Sequence, residues 1–433
     1  MPGNRPSPRA VRLVWNRREA PASPPAVLHL ASDTRPTSRS AATGDVYLGD
    51  NLAVMRALMP ALEGRIDLIY ADPPFNTGRA FAARIGRGED SRKPSDWKKA
   101  PGYGDRWEDP AAYLDMLAPR LEAMHRLLSP TGSLYLHVDW RASAHARVIL
   151  DEIFGPDRLL NEIIWAYHGP SPIVSAFKRK HDTILVYTKS RRYRFDAEAV
   201  RVPYDSATVR AFASSPRAGF GKTPNLARGK VPEDWWYFPV VARLHNERTG
   251  YPTQKPLGLM QRMILASSRK GDLVADFFCG SGTTAVAAAR AGRHWLLCDH
   301  SPLAIATVYR RLALEPSRPG FRLWTTRSRH GSATLGPHLR WRTRGRSVEV
   351  ELQSEKIRGA RTKVGAEINL WEVDWDSDGP FRSRSRSVRG WRSDALPGLL
   401  RHTFTRPGQF QVAVRAWDSL GRVHTARRRL TIR

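Results

Sequence analysis

Cysteine is nearly absent from this sequence of 433 residues, which contains only Cys279 and Cys298. Two cysteines cannot build a disulfide framework or a cysteine-based zinc site. The chain also lacks any apolar run approaching the roughly 20 residues that a membrane-spanning helix requires. Its first residues, MPGNRPSPRAVRLVW, contain no apolar segment of the kind found in secretion signals. We therefore expect a protein that is neither membrane-spanning nor secreted, and we predict a cytoplasmic location.

Acidic residues are scarce relative to basic ones. The chain carries 41 Asp and Glu residues against 70 Lys and Arg residues, a formal net charge of +29 at pH 7. An excess of this size favours a polyanionic partner such as nucleic acid. The arginine-rich composition of a GC-rich genome is the alternative source of part of the charge. The apolar fraction of 41% is typical of a globular protein, so the charge does not indicate a disordered chain.

The chain divides into segments of different character. Residues 1–43 are rich in Pro, Ser, Ala and Arg, which predicts a flexible basic tail. In residues 44–327, strands alternate with helices, the pattern of an α/β domain with a largely parallel sheet. Within that domain, residues 79–106 are polar and glycine-rich and are predicted to form a mobile loop. Residues 340–433 show two-residue alternation broken by turns, which predicts a small all-β sandwich.

A glycine-rich turn joins a predicted strand to a helix in DFFCGSGTT, which begins at Asp276. Gly280 and Gly282 allow the backbone to approach a ligand closely. Asp299 ends the next predicted strand, where an acidic side chain can bind ribose hydroxyls. The combination indicates a site for an adenosine-containing cofactor, although a purely structural turn is the alternative. A phosphate-binding loop is excluded because no lysine follows Gly282.

The second motif is Asp72-Pro73-Pro74-Phe75, at the end of the apolar strand RIDLIYA. A carboxylate and a backbone carbonyl can accept the two N–H bonds of an exocyclic amine and draw its nitrogen towards sp³ geometry. The Phe75 ring can stack on a base that has left the duplex. The prolines force a turn, so a plain strand-ending turn is the alternative interpretation.

Together these motifs resemble the beta group of DNA amino-methyltransferases, which act on adenine N6 or cytosine N4. The resemblance covers residues 45–315 and rests on an ordered set: GDNL from Gly49, DPPF, GYPTQKP from Gly250, DFFCGSGTT and the Asp299 strand. It implies a circularly permuted Rossmann-like methyltransferase sheet, in which the catalytic motif precedes the cofactor motif. It also implies S-adenosylmethionine as the methyl donor and double-stranded DNA as the substrate.

The resemblance assigns roles to individual residues. Asp72 and the Pro73 carbonyl would hold the target amine, Pro74 would complete the turn, and Phe75 would stack on the base. The residues implied at the cofactor are Asp50, Thr253, Lys255, Asp276, Phe278, Gly280, Gly282, Thr283 and Asp299. For Asp50 a helix N-cap is the alternative, and for Lys255 it is a solvated charge beside a loop. No metal site is expected.

The implied reaction is direct transfer of a methyl group to nitrogen, without a covalent enzyme intermediate. The cytosine-C5 reaction needs a thiolate that usually follows a proline, and neither Cys279 nor Cys298 follows one. In the family, Asp at the position of Asp72 favours adenine N6 as the target. Cytosine N4 stays the alternative target. The same residues are also compatible with an RNA-directed amine methyltransferase or with a non-catalytic DNA-binding protein of the same fold.

Partners and target recognition are less well specified by the sequence. Residues 190–250, basic with interleaved aromatics, are the predicted target-recognition region, together with the 79–106 loop. The aromatic run 235–238 can serve either as a DNA contact or as core. A homodimer and a separate restriction subunit are compatible with the resemblance. Residues 340–433 lie outside it and are similar to an Ig-like module of the polycystic-kidney-disease-repeat type.

Overall fold

A long sheet of eleven strands organises the part of the chain that the computed structural model describes. The described residues are 13–15, 24–35, 43–85, 98–214, 224–242, 245–326, 337–355, 367–391 and 395–433. The strands are β1 (His29–Asp33), β2 (Gly44–Leu48), β3 (Ile66–Ala71), β4 (Arg79–Ile85), β5 (Lys98–Asp105), β6 (Leu128–Val138), β7 (Leu159–Ala166), β8 (His181–Thr188), β9 (Trp235–Tyr237), β10 (Leu273–Asp276), β11 (His294–Asp299), β12 (Phe321–Thr325), β13 (Leu339–Arg344), β14 (Ser347–Leu352), β15 (Ile368–Asp374), β16 (Phe381–Arg382), β17 (Ser385–Val388), β18 (Leu399–Thr403), β19 (Gly408–Asp418) and β20 (Val423–Ile432). The helices are α1 (Asn51–Leu62), α2 (Pro110–Leu127), α3 (Ser143–Phe154), α4 (Ser206–Ser214), α5 (Leu257–Ser267), α6 (Thr283–Arg290) and α7 (Pro302–Leu314).

The centre of the large sheet is parallel and confirms the predicted fold class. Its strand order is β16-β1-β12-β2-β11-β10-β3-β6-β8-β7-β9, and the six strands from β12 to β6 are parallel to one another. From β10 the chain passes through α6 to β11 on one side, whereas from β3 it passes through α2 to β6 on the other. The order therefore reverses between β10 and β3, where open α/β sheets place their ligands. Strand β3, which leads into the DPPF motif, precedes β10, which leads into the glycine turn. This is the circularly permuted order that the resemblance implies.

Helices cover both faces of this sheet because its central strands are apolar on both sides. Leu68 and Tyr70 of β3 pack in one cluster with α5, α6 and α7. Ile69 and Ala71 pack in the other cluster with α1, α2 and α3. The alternation of β3 therefore anchors both layers, and it leaves the next residue, Asp72, at the carboxyl end of a rigid strand.

Two predictions about unstructured segments are wrong where the structure describes them. Residues 29–33, within the predicted basic tail 1–43, form β1, which pairs with β12. The ends of the predicted mobile loop 79–106 form the antiparallel hairpin of β4 and β5, while residues 86–97 lie outside the described part. Local composition carries no record of either pairing, because His29 of β1 pairs with Thr325 of β12, far along the chain, and β4 pairs with β5 across residues 86–97.

The predicted recognition region 190–250 contains only two regular elements among its described residues, α4 and β9. Strand β9 pairs in parallel with β7 at the edge of the large sheet. In the aromatic run 235–238, Trp236 is buried as a core residue would be. Trp235 and Tyr237 are exposed, as residues that contact DNA would be. A role of this region in target recognition stays a prediction.

The C-terminal region forms the expected all-β unit. One sheet has the order β13-β14-β18 and the other β17-β15-β19-β20, and Trp371 and Trp375 are fully buried in the core between them. The unit is joined to the α/β domain, since β16 pairs with β1 and Tyr309 of α7 donates a hydrogen bond to buried Glu372. The similarity to a polycystic-kidney-disease-repeat module and the domain boundaries stay predictions. Across the described ranges, no helix is long and apolar enough to cross a bilayer.

Candidate active site

A cleft of about 390 Å³ opens at the carboxyl ends of the central parallel strands. The predicted site residues that line it are Asp50, Asp72, Pro73, Pro74, Phe75, Thr253, Lys255, Asp276, Phe278, Gly280, Thr283 and Asp299. Gly282 instead packs below the turn, where a Cβ would come within 2.8 Å of Val308 Cγ2. Residues from five separate stretches of sequence meet here. Four of the stretches lie at the carboxyl ends of the parallel strands β2, β3, β10 and β11, which share one edge of the sheet, and the fifth precedes α5.

The carboxylate of Asp72 is held on one side only. Its Oδ2 accepts a hydrogen bond from Lys255 Nζ at 2.5 Å. Its Oδ1 is buried and has no hydrogen-bond partner within the described structure. An unpartnered buried carboxylate oxygen is costly, so it is ready to accept an N–H from a ligand that enters the cleft.

Lys255 is not a solvated charge. Its side chain is 9% exposed, its ammonium lies on Asp72, and it stands 5.4 Å from the centre of the Phe75 ring. The ammonium balances the Asp72 charge at a position where both side chains are largely shielded from solvent. The alternative interpretation of Lys255 is therefore wrong, while its predicted contact with the cofactor stays a prediction.

Asp105 fixes the DPPF turn, a role that sequence reasoning missed. Its carboxylate accepts hydrogen bonds from the backbone N–H groups of Phe75, Asn76 and Thr77 at 3.2, 2.8 and 2.9 Å. It also accepts the Thr77 hydroxyl at 2.6 Å. Asp105 lies at the end of β5, within the segment predicted as a loop, so no local pattern linked it to Asp72.

A buried histidine supports the Phe75 ring and was also missed. The rings of Phe75 and His137 are stacked with their centres 5.7 Å apart. Tyr70 and Asp182 contact the two His137 nitrogens, at 2.8 Å from Nδ1 and 3.3 Å from Nε2. Hydrogen bonding by His137 and Tyr167 holds the pKa of Asp182 below its usual value despite burial. The network fixes the imidazole and, through it, one face of Phe75.

The glycine turn is shaped by two buried aspartates. Asp299 accepts hydrogen bonds from the backbone N–H groups of Gly280 and Ser301 at 3.0 and 2.9 Å, and burial raises its pKa. Asp276 accepts the Thr284 hydroxyl at 2.5 Å, and burial raises its pKa to about 7. Gly280 has a φ of 47°, a conformation that favours glycine.

Three other predicted cofactor residues already have protein partners or a constrained backbone. Asp50 caps α1 by accepting from Ala53 N–H at 3.0 Å, and it pairs with Arg120 at 2.7 Å, so the N-cap alternative is present in the structure. The Thr283 hydroxyl donates to the Lys255 carbonyl at 3.2 Å. Thr253 has a φ of 54°, which places an unusual backbone conformation beside the cleft.

Comparison with known proteins agrees with this geometry. Residues 66–310 match the family model described as DNA methylase. This chain belongs to the DNA methylase family. Membership confirms the predicted class, a DNA methyltransferase of the N6/N4 type that uses S-adenosylmethionine. It does not decide between adenine and cytosine.

Individual members of the family are similar to this chain over much of their own length. The Type II methyltransferase M.EcaI of Enterobacter cloacae is 28% identical over 66% of this chain and 73% of its own. The DNA adenine methyltransferase YhdJ of Escherichia coli (strain K12) is 31% identical over 61% of this chain and 81% of its own. A solved structure of the Thermus thermophilus protein TTHA0409, complexed with S-adenosyl-L-methionine, is 24% identical over 65% of this chain and 97% of that one, with a TM-score of 0.42.

Proposed function

We propose that this DNA methylase transfers the methyl group of S-adenosylmethionine to N6 of adenine in double-stranded DNA. The observation that carries the proposal is the Asp72 carboxylate, which lines the same cleft as the Gly280 turn and whose Oδ1 has no hydrogen-bond partner among the described residues. One wall of that cleft thus offers an acceptor for an amine, and another offers a backbone turn for a cofactor.

The residues present fit the proposed cofactor. The cleft volume of about 390 Å³ falls within the range of small-molecule sites. A Cβ at Gly280 would come within 3.1 Å of the Tyr251 ring, so glycine keeps that part of the cleft open. Asp299 retains lone pairs beyond its two backbone bonds and would accept ribose hydroxyls. Phe278 would contact the adenine ring.

S-adenosylmethionine supplies an electrophilic methyl group on a sulfonium centre. The chain's own residues prepare the nucleophile: Asp72 Oδ1 and the Pro73 carbonyl accept the two amine N–H bonds and localise the nitrogen lone pair. Asp72 Oδ1 is also placed to accept the proton that the methylated amine loses. Lys255 holds the other carboxylate oxygen and so orients the acceptor. Positioning and electrostatics then supply the rate, without a covalent enzyme intermediate.

Adenine is favoured over cytosine by two observations. The first motif position is Asp72, and Asp at this position goes with adenine N6 in the family that the motifs resemble. The E. coli relative that is 31% identical is named as a DNA adenine methyltransferase. Cytosine N4 would use the same acceptors, so the base is decided by experiment.

The test is to incubate the full chain with duplex DNA and labelled S-adenosylmethionine, digest the DNA and identify the nucleosides by mass spectrometry. We expect N6-methyladenine, and a much lower but measurable rate of its formation with Asp72→Asn, which retains the size of the side chain. N4-methylcytosine would retain the mechanism and refute the choice of base. Transfer only to RNA at equal salt would refute DNA as the substrate. The homodimer, the restriction subunit and the cytoplasmic location stay predictions.

A further inference from the structure

The loop between β7 and β8, residues 167–180, exposes two large apolar side chains. Phe177 is 99% exposed and Val174 is 96% exposed, the two highest values among the exposed large hydrophobic residues of the described chain. Exposed apolar groups that lie close together commonly mark a binding surface. A phenylalanine that is almost wholly in solvent gains nothing from packing within the fold, so we look for its function in contact with another molecule.

The loop lies on the same edge of the sheet as Asp72. Strand β8 is antiparallel to both β6 and β7, so β7 runs parallel to β6 and to β3. The chain leaves β7 at the carboxyl edge, where β3 ends in Asp72. Three strand spacings separate β3 from β7 in the order β3-β6-β8-β7, about 14 Å. This distance is comparable with the roughly 12 Å width of a DNA major groove.

The base of the loop is held while its tip is free. The Arg179 guanidinium stacks 4.3 Å from the ring centre of Trp140, which follows β6. Lys180 Nζ donates to the Pro170 carbonyl at 2.9 Å and closes the loop. Pro170 and Pro172 restrict the backbone further. These contacts restrain the loop that carries Phe177, so the loop loses little conformational entropy when Phe177 binds.

The chemistry around Phe177 fits DNA. Residues 167–180 contain no Asp or Glu, and Lys178-Arg179-Lys180 directly follow the phenylalanine. Lys178 is exposed, and the aromatic rings of Trp140 and Tyr237 are exposed on the same edge. Basic groups bind phosphates, and an aromatic ring beside them can stack on any base.

We propose that Phe177 inserts into the duplex next to the target base and occupies the space from which that base has moved into the cleft. Extruding a base loses its pairing and stacking. An apolar side chain that enters the base stack restores part of the lost stacking, as wedge residues do in DNA-bending proteins. This inference rests on the proposed function, since it requires a base that leaves the helix.

The test compares the full chain with Phe177→Ala on two duplexes that carry the site mapped in the methylation assay. In one duplex the target base is paired; in the other it stands opposite an abasic position, which lowers the cost of extrusion. For the variant we expect kcat/KM on the paired duplex to fall roughly 10- to 100-fold, the scale of one aromatic–base stacking contact. We expect near wild-type kcat/KM on the abasic duplex, an unchanged KM for S-adenosylmethionine, and rescue by Phe177→Trp.

Leu399→Ala is the matched control, because Leu399 is an exposed apolar residue on the C-terminal sandwich. Equal losses on both duplexes, or no loss on either, would overturn the role of Phe177. A variant that changes the sedimentation of the free protein but not its DNA kinetics would assign the side chain to a contact between copies and also overturn it. A wild-type protein that transfers no methyl group would refute the proposed function and this role together, whereas wild-type transfer with an unaffected variant would refute this role alone.

Discussion

The ion pair between Lys255 and Asp72 predicts how far kcat falls when Lys255 loses its charge. The two side chains are 9% and 16% exposed, and their charged atoms are 2.5 Å apart. Replacing Lys255 with methionine retains the apolar stem and removes the charge. Breaking a buried ion pair from one side costs about 3–5 kcal/mol because the remaining charge is uncompensated. Part of this cost appears as a less well oriented Asp72 and therefore as a higher activation barrier. Because about 1.4 kcal/mol of barrier height changes the rate tenfold, we expect kcat to fall roughly 10²- to 10³-fold.

A double-mutant cycle with Asp72→Asn separates the two roles of Lys255. If the lysine acts through Asp72, Lys255→Met adds no further loss of kcat once Asp72 has lost its charge. If it acts through the cofactor, Lys255→Met weakens S-adenosylmethionine binding equally in both backgrounds. Single-turnover methylation measures the first quantity, and equilibrium dialysis with labelled cofactor measures the second.

The reasoning would be refuted by a Lys255→Met protein that retains kcat within about threefold of the wild type, far less than the loss of a buried charge partner should cause. It would also be refuted if the only change were a loss of cofactor affinity. Circular dichroism and the thermal unfolding midpoint of each variant show whether the fold is intact, so that a folding defect is not mistaken for a catalytic one.

Three further perturbations follow from buried carboxylates. Asp105→Asn leaves one acceptor oxygen for the four donors on the DPPF turn, so we expect kcat/KM for DNA to fall at least about tenfold at unchanged cofactor affinity. Burial raises the pKa of Asp276 to about 7, so its contribution to stability is greatest below about pH 4 and is lost as the pH rises to about 7. Asp276→Asn should therefore flatten the fall in unfolding midpoint between about pH 4 and pH 7. Glu372→Gln removes the charge that faces buried Arg415, and we expect a clearly lower unfolding midpoint in thermal scans, whereas an unchanged midpoint would show that the pair does not stabilise the sandwich.

The motifs were readable from the sequence because each one is local. DPPF, the glycine turn and Asp299 are short, and each follows an apolar run that predicts a buried strand. Their order along the chain carries the resemblance to the family, and that resemblance implies a circularly permuted α/β sheet. The residues that support the motifs were not readable in this way. Asp105 lies 30 residues from Phe75, and His137 lies 62 residues from it, with no pattern that links them.

The sequence by itself determined the family resemblance, the alternation of central strands with helices and the chemical groups at the ends of β3, β10 and β11, since burial periodicity and turn residues act over a few positions. Only the tertiary structure decided which of those groups meet. It placed Lys255 on Asp72, showed that β1 belongs to the sheet, and presented Phe177 on the edge of the sheet that holds the cleft. Such contacts depend on the packing of strands and loops that are distant in the chain, and the free energy of that packing comes from surfaces buried together rather than from local residue preference.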